Sequence, residues 1–139
     1  MQAPTSQHPI FHKHQALIEK ASQIEVARLG ASPIRPEEQD KSKAYWGDYE
    51  VLEVKFLSPE EALAYQKAAL DTSQYLNEQK KCPFQAQYGL RFSKKEQHIT
   101  LVLAASGCEK VILLSSHKDI DQKHYDLKAE SALYALWVN

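Results

Sequence analysis

The stretch Tyr88-Gly89-Leu90-Arg91-Phe92-Ser93-Lys94-Lys95-Glu96-Gln97-His98-Ile99-Thr100-Leu101-Val102-Leu103-Ala104-Ala105-Ser106-Gly107-Cys108-Glu109-Lys110-Val111-Ile112-Leu113-Leu114-Ser115 decides the fold. Tyr88, Leu90 and Phe92 fall on one side of an extended chain, the period-two pattern of a strand. Ser93–Gln97 is a polar turn. Ile99–Ala105 is apolar on both faces, as a strand central in a sheet must be. Ser106-Gly107 turns the chain again, and Lys110–Ser115 is once more apolar on both faces. Connections this short join antiparallel neighbours, since a parallel crossover needs a dozen or more residues.

Upstream of this meander, helices and strands alternate. Residues 9–22 read as a helix, with Pro9 at its first position and Ile10, Phe11, His14, Leu17, Ile18 and Ala21 forming one stripe. Ile24, Val26 and Leu29 suit a short strand. The polar stretch from Gly30 to Gly47 carries Pro33, Pro36 and the charged run Glu37–Lys41, and is long for a connection. Residues 48–57 form the next strand, with Leu52, Val54 and Phe56 on its buried side and Glu53 and Lys55 in water. Ser58-Pro59-Glu60-Glu61 is a capping box with proline at the first helical position. The helix it opens is expected to reach Leu76–Glu78. The tail from Asp126 to Val138 is ambiguous between helix and strand, and Leu127, Glu130, Tyr134 and Trp137 favour helix.

The expected architecture is therefore α+β: a mainly antiparallel sheet of four to five strands with helices packed on one face. Residues 1–8 are read as a flexible N-terminal segment and residues 9–139 as a single domain. A chain of 139 residues can bury roughly two-thirds of its unfolded surface. The 17 basic and 18 acidic residues of the chain are spread evenly over both halves, so no basic stripe invites a nucleic acid. The apolar run at Ile99–Ala105 is too short to cross a bilayer as a helix, so no membrane insertion is expected.

Two stretches carry a resemblance. Cys82-Pro83-Phe84-Gln85-Ala86-Gln87-Tyr88-Gly89-Leu90-Arg91-Phe92 is followed, after a strand, by Gly107-Cys108. Upstream stands Tyr45-Trp46-Gly47-Asp48-Tyr49-Glu50-Val51-Leu52. Together they resemble a group of small bacterial proteins of unassigned function, many of them exported or lipoprotein-like. That pattern runs Cys-Phe, Pro-Arg-His-Gly-Ile/Leu-Arg, a strand and Cys-Phe-x-Cys. The resemblance covers roughly residues 24–116. Here Gln87-Tyr88 stands for the Arg-His pair and Ala105 for one cysteine, and the spacing from Cys82 to Gly89 is a residue longer. The resemblance implies an exported protein, periplasmic or secreted, with its signal peptide removed. Met1-Gln2-Ala3-Pro4-Thr5-Ser6 has neither a basic nor an apolar signal region, and a cytoplasmic protein is the alternative.

Cys82 and Cys108 flank the first hairpin of the meander, one before its first strand and one after its second. A disulfide is the favoured reading. Two separate buried thiols, or a pair that cycles between redox states, are the others. His8 and His12 are four apart, a two-point metal arrangement without a third ligand, so no metal site is expected. His14 reads as packed. Asp119 and Asp121 beside His124 read as a solvated turn. No Gly-x-Ser-x-Gly, phosphate-binding glycine loop or His-Glu-x-x-His occurs, and no cofactor is implied. The loop Ala31–Gly47 offers Arg35, Tyr45 and Trp46 as binding anchors, although Trp46 could equally plug one end of the core. The favoured function is a non-enzymatic binding module whose partner is another protein, such as a periplasmic inhibitor or immunity protein that masks a secreted toxin. The alternatives are a small hydrolase or metal-dependent enzyme using His8, His12 or the Asp119–His124 loop, and a thiol-redox protein using the two cysteines.

Overall fold

The computed structural model describes residues 15–76, 81–105, 107–115, 123–128 and 131–138. Along the chain run α1 (Gln15–Glu19), β1 (Gln23–Leu29), β2 (Tyr45–Trp46), β3 (Tyr49–Phe56), α2 (Pro59–Leu70) and β4 (Tyr75–Leu76). They are followed by β5 (Ala86–Lys94), β6 (Gln97–Ala104), β7 (Lys110–Ser115), β8 (Lys123–Leu127) and α3 (Ala132–Val138). The strands form one sheet in the order β2-β3-β1-β5-β6-β7-β8-β4, paired antiparallel throughout.

The sheet has eight strands rather than four to five. The five expected ones are present. The additions are β2 and β4, two residues each and too short to show a period, and β8, which occupies the start of the stretch read as helix. Asp126 and Leu127 end β8, and helix begins only at Ala132. Ser131 sets that start by accepting a bond at Oγ from the Leu133 amide at 3.2 Å. The expected helix over 9–22 is described only from Gln15; Pro9, Ile10, Phe11 and His14 lie outside the described residues, as does the segment 1–8.

Helix α2 starts as its capping box dictates. Ser58 Oγ accepts from the Glu61 amide at 3.3 Å, and the Glu61 carboxylate accepts from the Ser58 amide at 3.1 Å. That amide bond, with help from Lys55, holds the Glu61 carboxyl below its ordinary pKa. The helix stops at Leu70, short of the expected Leu76–Glu78. Asp71 Oδ1 accepts from both the Ser73 amide (3.0 Å) and the Ser73 hydroxyl (2.6 Å), a local turn that competes with helical bonding. At its middle, Gln66 Nε2 donates to the carbonyls of Ile18 (2.9 Å) and Glu19 (3.3 Å), which satisfies the end of α1.

One face of the sheet carries the larger core. Tyr88, Leu90 and Phe92 of β5, Ile99, Leu101 and Leu103 of β6, and Val111 and Leu113 of β7 pack against Ile18, Tyr65, Ala69 and Leu133 of the helices. The Tyr88 and Trp137 rings stack with centroids 4.5 Å apart, and the Tyr88 hydroxyl donates to the Leu133 carbonyl at 2.6 Å. Burial holds the Tyr88 phenol far above its ordinary pKa. The opposite face carries a second cluster, formed by Ala27, Leu29, Val102, Ile112 and Leu114 under Trp46 and Tyr49.

Strand β3 departs from expectation. Leu52, Val54 and Phe56 are 45%, 47% and 62% exposed. Val54 lies opposite Ala27 and Phe56 opposite Glu25, which puts both on the second face. Trp46 and Tyr49 cover that face farther along the hairpin, and α1, α2 and α3 pack on the other. Alternation marked the less polar side of β3 correctly, but it carries no information on whether anything covers that side.

Cys82 and Cys108 are bonded, with Cα atoms 5.9 Å apart. The register explains why. Ala86 pairs with Ala104, and the Ala105 amide donates to Gln85 O at 2.8 Å. Each cysteine sits four residues beyond that last pair, so the ladder delivers them to one another. The bond closes a separation of 26 residues. On the chain-entropy account, replacing both with serine is expected to lower stability by about 2–4 kcal/mol. Alkylation of the unreduced native protein should add no label, and mass spectrometry showing two labelled thiols would contradict the bond.

Candidate binding surface

The region between β1 and β3 is a loop held along its length. Gly30 N donates to Glu50 O (2.9 Å), Ala86 N to Ala31 O (3.0 Å) and Ile34 N to Asp48 O (2.8 Å). A 3-10 turn follows at Pro36–Glu38. Gln39 Nε2 then donates back to Ile34 O at 2.7 Å and to Asp48 Oδ1 at 3.3 Å. Asp40 Oδ1 accepts from the Ser42 amide and hydroxyl at 2.9 and 2.7 Å. These bonds hold the Asp40 carboxyl below its ordinary pKa. Val51 N donates to Ala44 O at 2.9 Å, closing the loop onto the hairpin.

The hairpin itself is seated by Trp46. Its turn is Gly47-Asp48, with Gly47 at a φ of 62°, the conformation that the first position of a type II′ turn reserves for glycine. A side chain at Gly47 would also meet Leu114 Cδ1 at 2.6 Å. The Trp46 indole lies on Gly89 of β5, where an added Cβ would stand 2.7 Å from Cε3 of the ring and 2.9 Å from Leu29 Cδ1. Above the ring lies Arg91, its guanidinium carbon 4.6 Å from the centroid. Arg91 Nε donates to Thr100 Oγ1 at 2.8 Å, and Glu25 stands opposite it across the ladder. Burial lowers the Arg91 pKa, and the Glu25 charge works against that shift. Neighbouring His98 is also pushed down, first by burial and then by the Arg91 charge.

The three expected anchors therefore have three fates. Trp46, at 5% exposure, is the core plug of the second face. Tyr45 is half-buried, and its hydroxyl accepts from the Asp40 amide at 3.0 Å. Arg35 is exposed and pairs with Glu38 at 3.5 Å. The structure joins Tyr45 to the loop and Trp46 to Arg91, a residue that sequence reasoning passed over. Gly89 was the available signal, because a glycine inside an apolar strand often marks a close approach. His8, His12, His14, His117, Asp119 and Asp121 lie outside the described residues, and of His124 only the backbone in β8 is described. Among the described residues no group of three His, Cys, Asp or Glu side chains is placed to hold a metal ion. No helix among them is long and apolar enough to cross a membrane.

Comparison with protein-family models, curated proteins and solved structures finds no match to this chain.

Trp46→Ala is expected to cost about 3–5 kcal/mol in urea unfolding, as large buried aromatics do. Arg35→Ala should stay within about 0.5 kcal/mol of the parent. A Trp46→Ala protein as stable as the parent would contradict the seat.

Proposed function

We propose that the protein is a non-enzymatic binding module of an oxidising compartment, periplasmic or secreted, whose partner is another protein. An inhibitor or immunity protein that masks a secreted toxin is the class that fits best. The observation that carries the reading is the loop 31–47, a long surface segment whose backbone is bonded to β3, β5, the hairpin turn and itself while the charged side chains of Arg35, Glu37, Glu38 and Lys41 are exposed. A recognition loop ordered before binding loses little conformational entropy on docking, and so retains more of its contact energy as affinity. Its exposed charges are of both signs, which suits a mixed protein surface better than a polyanion. The Cys82–Cys108 bond fits an oxidising compartment.

In this reading Arg35 and Tyr45 touch the partner, and Trp46 acts from beneath by fixing the hairpin. The partner is to be isolated from the extracytoplasmic fraction on immobilised protein, identified, and titrated by calorimetry. Arg35→Ala and Tyr45→Ala should each weaken binding about thirtyfold, the effect of losing an anchor of about 2 kcal/mol. Affinity that survives both changes would remove the loop as the contact surface.

A further inference from the structure

Among the described residues the exposed large apolar side chains are Leu52, Val54, Phe56 and Leu63, and three of the four belong to β3. Strand β2 pairs with β3 only at Tyr49 and Glu50. From Glu53 to Phe56, β3 is paired with β1 on one side and, among the described residues, with no strand on the other. The Leu57 amide donates to Ile24 O at 3.0 Å, so the main-chain groups of Leu57 face β1. By the alternation of an antiparallel ladder those of Lys55 face β1 too, and those of Val54 and Phe56 face outward. An open edge with apolar side chains is what native sheets normally blunt or cover.

We propose that the open edge of β3 pairs antiparallel with β3 of a second copy of this chain, about a two-fold axis at Val54. A symmetric ladder must set outward-facing residues against outward-facing residues, which leaves two-folds at Glu53, Val54 or Lys55. The first would oppose Glu53 to its own copy, and the third Lys55 to its own copy. Centring on Val54 opposes Val54 to Val54 and Glu53 to Lys55 in both directions, and brings the bulge residue Leu52 beside Phe56 of the second copy at each end. The strand is thus complementary to itself in one register. The charge pairs are exposed, and each already has a partner in its own chain: Arg28 lies 3.6 Å from Glu53, and Glu61 lies 3.1 Å from Lys55. They therefore act mainly on register, while main-chain bonds and the apolar pairs supply the attraction. The bulge at Leu52, which lies between the Arg28–Glu53 and Leu29–Val51 pairs, ends the regular edge there and keeps the ladder short.

Sedimentation velocity on the full chain tests this without any other ligand. The parent is expected to dimerise with concentration. Val54→Arg, which sets like charges at the axis, should leave monomer, with the melting temperature that the parent shows when diluted to monomer. Glu53→Lys and Lys55→Glu should each weaken the dimer about tenfold, and the double exchange should restore it to within about threefold. A parent that stays monomeric at about 100 μM overturns the proposal. So does a dimer indifferent to Val54→Arg, which would lie on another face. Slow amide exchange at Val54 and Phe56 in a monomer would overturn it in favour of another segment of this chain. The loop 31–47 has no part in these outcomes, so they leave the binding reading to its own test.

Discussion

A tryptophan resting on a glycine holds the second face of this sheet together. Gly89 sits between Ala27 of β1 and Val102 of β6, and leaves a flat place on which the Trp46 indole lies. Any side chain at 89 would occupy the space of the ring. With the ring in place, Gly47 comes within contact of Leu114, so the β2–β3 hairpin reaches across the sheet as far as β7. Tyr49 and Phe84 continue the cover, with ring centroids 6.0 Å apart. The helices take no part here: their buried side chains all belong to the other face.

The loop inherits its order from that seat. Ile34 and Gln39 bond to Asp48 in the hairpin turn, and Val51 bonds back to Ala44. A hairpin free to lift would release these bonds together. Arg91 stands over the same ring, with its charge balanced by Glu25 and its Nε on Thr100, so it covers the indole from solvent. Aromatic, arginine and carboxylate here serve structure first. In the proposed binding role, recognition is left to the exposed side chains of the loop.

What the chain reveals in one dimension is uneven for physical reasons. Ile99–Ala105 and Lys110–Ser115 read as central strands because they are apolar on both faces, and β6 and β7 are buried on both. The Ser58–Glu61 cap was legible because its chemistry is local. The cysteine pair followed from one hairpin register. Strands β2 and β4 were not legible, since two residues have no period, and β8 gave too little contrast with the helix beside it. The side chains of β3 were assigned to the core on alternation alone, when exposure depends on what lies opposite in space. At the candidate surface, Trp46 offered two roles. The choice lay with Gly89, 43 residues away in sequence and in contact only after folding.

Whether the Trp46 seat holds the loop is measured most directly by native-state amide exchange on Gly89→Ala beside the parent. The added methyl group should push the indole off the sheet. The amides of Ile34, Asp40, Lys43 and Val51 should then exchange at least about tenfold faster relative to those of Leu101 and Leu103, which belong to the helix-covered face. Equal acceleration at all six amides, or none at any, would contradict the account, because the loop would then owe nothing particular to the tryptophan beneath it.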